Sequence, residues 1–208
     1  MMGRPKYGDG EFLNAALAIA AESGPPAVTV GAITERLGAP VGSFYHRFAS
    51  RDVLLGQLWL RIVLDFQHGI TAALDAGDGL RAALHTPAWV RLHLDEARLL
   101  LLYHRDDFVQ GGWPTALRDG VAAQTERMEA GFSRFARLVF GRTGKDETRR
   151  AQFLLAEMPV GAVRQHLQRR EPPPPIVDEL IRITYGAVVA DYSTRPKARR
   201  DLSLGIGY

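Results

Sequence analysis

Apolar residues recur three and four positions apart along most of the 208-residue chain, with no sustained alternation of β-branched and polar residues and no Asn-Gly hairpin turn. That period predicts an all-α protein. Phe12, Leu13, Ala16, Leu17 and Ala20 form the first stripe, and Ser23-Gly24-Pro25-Pro26 closes it, because glycine suits a helix end and the prolines cannot continue one. Thr29 is placed to cap a second helix with Val30, Ile33 and Leu37 on one face and Gly38 as its stop. Pro40 fits the first turn of a third helix, where its missing N–H costs nothing. Ser50 can cap a fourth, from about Arg51 to Leu74, with Val53, Leu54, Leu58, Ile62 and Phe66 on a mixed face.

Beyond it, breaks at Ala76 to Gly79, Gly111 to Pro114, Gly141 to Lys145 and Pro172 to Pro175 leave helical segments near 79–95, 96–109, 114–140, 146–170 and 176–193. Pro87 and Pro159 fall inside two of these and should kink or split them. The four prolines read as a stiff connector, with a Pro-rich docking motif the weaker alternative. The chain thus divides into a helix-turn-helix domain over 1–50, a larger helical domain over 51–195 joined to it by the helix at 51–74, and a basic tail over 196–208 that reads as a solvated end. The last two helices carry more apolar surface than a domain edge needs. Phe153, Val163 and Leu167 on one, and Leu180, Ile181 and Val188 on the other, are candidates for a dimer interface, with burial inside the chain as the alternative.

The third helix holds the chemistry of the first domain. Giving each residue about 100° of rotation from Val41 puts Val41, Phe44 and Phe48 at about 0°, 300° and 340°, an apolar stripe for the core. Gly42, His46, Ser43 and Arg47 then fall at about 100°, 140°, 200° and 240°, with Tyr45 at the edge near 40°. This outward face is small, polar and cationic. Behind a short helix and a glycine turn, such a helix can lie in a DNA major groove and offer donors to base edges and phosphates; a plain helical hairpin with a solvated face fits the same pattern. Arg4 and Lys6 could extend the contact as a basic arm.

Composition narrows the classes without choosing among them. A net charge of +3 permits an anionic partner, yet the excess is too small to identify one. The absence of cysteine excludes disulfides, thiolate catalysis and thiolate zinc sites, and fits a cytoplasmic protein. No apolar run approaches the roughly 18 residues of a membrane span. No metal site is expected, since His85 and His93 stand eight apart rather than at the paired-histidine spacing of four. No enzyme is expected either: His104-Arg105-Asp106 imitates the start of a kinase catalytic loop, but Gly111 stands where the metal-binding Asn should be. No catalytic residue or cofactor is assigned.

Thr29-Val30, Ile33, Leu37-Gly38, the run Gly42-Ser43-Phe44-Tyr45-His46-Arg47-Phe48, then Arg51 and Leu54-Leu55, resemble the amino-terminal signature of tetracycline-repressor-type (TetR-family) transcriptional regulators over about residues 10 to 56. The resemblance implies a ligand-responsive homodimeric repressor that binds a palindromic DNA operator and is released by a small molecule. It places Val41, Ser43, Tyr45 and His46 at the DNA and Thr29 and Arg51 near phosphates, while the rotation argument favours Gly42, Ser43, His46 and Arg47. Pro40-Val41 and Thr34 depart from the family's usual residues, so no operator sequence carries over. An aromatic and His-containing set runs through the middle helices, from Trp59 and His85 to Trp113 and Phe135. Within it, Trp89, His93, Tyr103 and Phe132 are the candidates to line a site for an apolar or aromatic ligand. The alternative is a helical binding or scaffolding protein on the same fold without sequence-specific DNA binding.

Overall fold

The computed structural model describes residues 7–108 and 115–194; Arg4, Lys6, Trp113 and the tail expected over 196–208 lie outside them. The described residues are helical and fall into two compact units that are not consecutive along the chain. One takes the chain up to Asp65, His93–Gln124 and Leu167–Glu171; the other takes Phe66–Leu92, Thr125–His166 and the chain from Pro172 on. The chain first passes from one unit to the other inside its fourth helix.

In the first unit, α1 (Asp9–Ser23) buries Phe12, Ala15, Ala16, Ile19 and Ala20. It ends at Gly24, whose φ of 84° leaves its N–H free to reach the Ala20 carbonyl. A 3-10 turn at Pro25–Ala27 leads to α2 (Val30–Leu37), which Thr29 caps by accepting the N–H of Ala32 at 3.0 Å. Gly38 closes α2 in the left-handed region at φ 60°. Next come α3 (Val41–Tyr45) and α4 (Arg51–Asp75), the latter capped by Ser50, which accepts the N–H of Val53 at 3.2 Å. Phe12, Phe44 and Phe48 pack as three rings with centroids 5.4 to 6.0 Å apart, beside buried Ile33, Leu54 and Leu58. Thr34 is also buried, and its hydroxyl donates to the carbonyls of Val30 and Gly31. The buried hydroxyl thus leaves no unpaired polar atom. The helix α6 (Leu94–Leu102) packs against α1.

The second unit holds the latter part of α4, α5 (Gly79–Leu92), most of α7 (Thr115–Phe140), α8 (Lys145–Gln152), nearly all of α9 (Met158–Gln168), and α10 (Ile176–Thr194). Neither Pro87 nor Pro159 ends the helical run that holds it, though a change of helix type precedes the second. Pro87 sits inside α5. Ahead of Pro159 the backbone widens into a π-helical turn, Phe153–Glu157, where the N–H of Met158 reaches the carbonyl of Phe153; the wider turn absorbs the residue that cannot donate. The proline connector is fastened by Arg91, which donates to the carbonyls of Pro173 at 2.8 Å and Pro174 at 3.2 Å and pairs with Asp178 at 2.8 Å. Glu147 is buried and accepts from Tyr192 at 2.8 Å and Arg142 at 3.0 Å. Burial opposes its charge, but these two donors, its backbone N–H and the Arg142 cation outweigh that and hold its carboxyl below the ordinary value. Burial and the same carboxylate push the Tyr192 hydroxyl up.

Candidate nucleic-acid interface

The break between α2 and α3 comprises three residues, and each has a local reason. Gly38 supplies the positive φ, Ala39 donates its N–H to the Thr34 carbonyl at 2.9 Å, and Pro40 opens α3 by accepting the N–H of Ser43 at 2.9 Å. The Tyr7 hydroxyl braces this break by donating to the Gly38 carbonyl at 3.0 Å. Sequence reasoning overlooked Tyr7, which belongs to no motif.

Behind that turn α3 is a single short helix with two unlike sides. Phe44 is fully buried, whereas Val41 is 51% and Tyr45 58% exposed, and Gly42 and His46 are exposed as well. Ser43 is half-buried. A side-chain carbon added at Gly42 would meet nothing within 4 Å, so the backbone there is open to a close-approaching partner. The rotation argument placed Val41 in the core and is corrected. A helix of five residues has no room for a long stripe, and Phe48, which lies past its end, completes the ring cluster instead. The Tyr45 ring lies edge-on to Phe44 at 5.3 Å although the residue is exposed. Thr29 is exposed at the start of α2, although its hydroxyl oxygen already serves the α2 cap.

The two arginines expected to meet phosphate are both engaged within the chain. Arg47 is only 19% exposed: its Nε lies 3.3 Å from the Asp9 carboxylate, an Nη donates to the Ser43 carbonyl at 3.3 Å, and its guanidinium carbon stands 5.8 Å from the Phe12 ring centroid. Arg51 is 24% exposed and turned into the domain. It donates through Nε to the Val28 carbonyl and through Nη to the Pro25 carbonyl at 2.9 Å, and pairs with Asp52 at 3.1 Å. It thereby ties the start of α4 to the 3-10 turn that precedes α2. Its partners are 23 and 26 positions away, beyond any local pattern.

The four ligand candidates divide between the two units. Trp89 is buried in the second unit with its ring 5.0 Å from Phe66, and Phe132 is half-buried in that unit. His93 and Tyr103, which precede and follow α6, belong to the first unit. A groove of about 390 Å³ in the second unit is lined instead by Gly69, Ala72, Arg81, Leu84, His85 and Ala88. His85 lies close over Gly69 there, with Nε2 2.8 Å from the Phe66 carbonyl oxygen. The dimer candidates also separate. Val163, Leu167 and Ile181 are buried within the chain, Phe153 and Leu180 are exposed, and Val188 is half-buried. The outward stripe of α10 is Ile176, Leu180 and Ile183, at helical spacing. No group of metal-ligating side chains occurs among the described residues, and no described helix is long and apolar enough to cross a membrane.

Residues 12–58 match the profile of the bacterial regulatory proteins of the tetR family. No curated protein matches the sequence. Solved structures share the fold. A transcriptional regulator from Rhodococcus sp. Rha1 superposes with a TM-score of 0.66 at 18% identity, over 91% of this chain and 100% of its own. The ketosteroid transcriptional regulator KstR2 of Mycobacterium tuberculosis gives 0.57 at 19% identity over 90% and 95%. A TetR-family transcription regulator from Shewanella sp. PV-4 gives 0.60 at 18% over 87% and 95%.

Proposed function

From the premise that the chain carries a tetR-family helix-turn-helix domain at residues 12–58 within the fold of transcriptional regulators, we propose that it is a ligand-responsive repressor. In this reading it is cytoplasmic, binds a palindromic DNA operator as a homodimer, and releases it when a small apolar or aromatic molecule binds. The observation that carries the DNA part is the two-sidedness of α3: Phe44 anchors it in the core while Val41, Gly42, Tyr45 and His46 face outward. That is the arrangement a major-groove reader needs, with a buried anchor fixing the helix and small or hydrogen-bonding side chains on the far side. Val41 and Gly42 allow close approach, His46 supplies a ring nitrogen for a base edge, and Tyr45 supplies a hydroxyl for a phosphate.

Homodimerisation rests on the apolar stripe Ile176, Leu180 and Ile183 with Phe153, which a second copy would cover by two-fold symmetry. Ligand release rests on coupling: a ligand that prefers a conformer unsuited to DNA weakens operator binding by the ratio of its two affinities, and DNA weakens ligand binding by the same factor. Selection of bound fragments from genomic DNA by the purified protein, followed by mobility shift on the recovered sequence, is the test. A palindrome with half-sites about 34–36 Å apart, or a multiple, is expected. A folded dimer that enriches no sequence would instead favour a helical binding protein without sequence-specific DNA contacts.

A further inference from the structure

Asp9 is the first residue of α1, and its side chain is 67% exposed although it holds the Nε of Arg47 at 3.3 Å. Arg47 stands two positions past the end of α3. The carboxylate is the one full negative charge among its partners described above; the Ser43 carbonyl lies at the long end of hydrogen-bond distance and the Phe12 ring is a weak acceptor. Resting on the DNA-binding reading, we propose that Asp9 is a restraint on DNA affinity: in the DNA-free protein it holds the Arg47 guanidinium against the domain, so that a phosphate engages Arg47 only by displacing a carboxylate.

The exchange is physically balanced. A guanidinium matches the geometry of phosphate oxygens and binds them through parallel N–H donors. An exposed ion pair with a solvated carboxylate is weak enough to be given up, and Asp9 returns to water when released. Operator binding is then reduced by the worth of the pair that must break. Asp9 thus sets affinity without touching DNA, and it does so through one named cation.

The test is a double-mutant cycle in operator binding at fixed low salt, using the full chain. Asp9→Asn keeps the side chain's size and should tighten binding roughly two- to fivefold, the worth of one exposed ion pair. In an Arg47→Met background, which keeps the alkyl stem against Phe12, the same change should have no effect. Glu11→Gln removes a second exposed carboxylate from the same turn of α1 and leaves Arg47 intact; it should not tighten binding. The proposal is overturned if Asp9→Asn leaves affinity unchanged, if it acts equally with and without Arg47, or if Glu11→Gln does as much, since either of the last two would mean plain repulsion of DNA by a nearby charge. Should Arg47→Met fail to fold, the comparison of Asp9→Asn with Glu11→Gln decides alone. A wild-type protein that binds its operator while the cycle shows no coupling removes this restraint only. Folded variants that all bind no DNA remove the DNA-binding reading with it.

Discussion

In an Arg51→Ala protein the Val28 carbonyl loses its Arg51 donor, the Pro25 carbonyl is left with the N–H of Val28 alone, and α4 loses its tie to the turn ahead of α2. A hydrogen bond from a charged group contributes about 1.5–3 kcal/mol when its surroundings are dry. Taking the two bonds at less than the low end of that range, because water reaches a quarter-exposed guanidinium and will rehydrate the carbonyls in part, gives a loss of about 2–3 kcal/mol. The neighbouring pair with Asp52 adds little at this exposure. For a chain of this length each kcal/mol shifts the melting temperature by about 2–4 °C, so a fall of roughly 4–12 °C is expected. Thermal unfolding followed by far-ultraviolet circular dichroism measures it, and operator affinity across a salt series, taken where the variant is folded, measures the other half of the claim. Because the guanidinium is spent inside the domain, the slope of log affinity against log salt should stay at its wild-type value. An unchanged melting temperature together with a slope shallower by about one would refute this reasoning and make Arg51 an ordinary phosphate contact.

Three further outcomes follow from other parts of the structure. His46→Ala should leave the melting temperature within about 1 °C, as an exposed substitution does, while binding-site selection returns an altered base preference; the same motif with the same discrimination would remove its reading role. If the proposed dimer uses the α10 stripe, Leu180→Asp combined with Ile183→Asp should give a folded monomer by light scattering, since both side chains are exposed in the single chain; a variant dimer would move the interface elsewhere. Glu147 has its folded-state carboxyl held below the ordinary 4.5, so its contribution is fully present above that value and lost as pH falls through the lowered one. Urea denaturation between about pH 3 and 6 should therefore show stability falling with acid more steeply in the wild type than in Glu147→Gln; parallel curves would mean the carboxylate is not linked to folding.

What was legible in the sequence was local. The stop at Gly24, the cap at Thr29, the left-handed Gly38 and the cap at Ser50 each depend on residues within four positions, and the structure places each where the pattern put it. Val41 was misread because the stripe argument assumes a helix several turns long, whereas α3 ends after five residues. The intrachain partners of the arginines were hidden for a different reason. A cation on a helix looks solvated until its partner is known, and the partners of Arg47 and Arg51, Asp9 and the Pro25 and Val28 carbonyls, come from a helix and a turn far back in the chain. On α10 the sequence offers apolar residues on more than one side, and only packing shows that Val177 and Ile181 point inward while Ile176, Leu180 and Ile183 do not. The seat of His85 was invisible for the same reason, since its ring fills the space that a side chain at Gly69 would take.

The threading of the chain bears on how this protein is made. The unit that carries the helix-turn-helix is not finished when residue 58 leaves the ribosome, because it also takes His93–Gln124 and Leu167–Glu171, and Arg98 in α6 donates to the Leu167 carbonyl. At about 5–20 residues per second, synthesis of the intervening stretch occupies on the order of ten seconds. Until α6 is made, α1 lacks one of the helices that pack on it, and part of its apolar face is uncovered. A short amino-terminal fragment cut at the motif's end would stay in that unfinished condition permanently. The ring cluster that anchors α3 is complete by Leu58, whereas α1 gains α6 only after Leu102, so a fragment cut at the motif's end keeps the first packing and lacks the second.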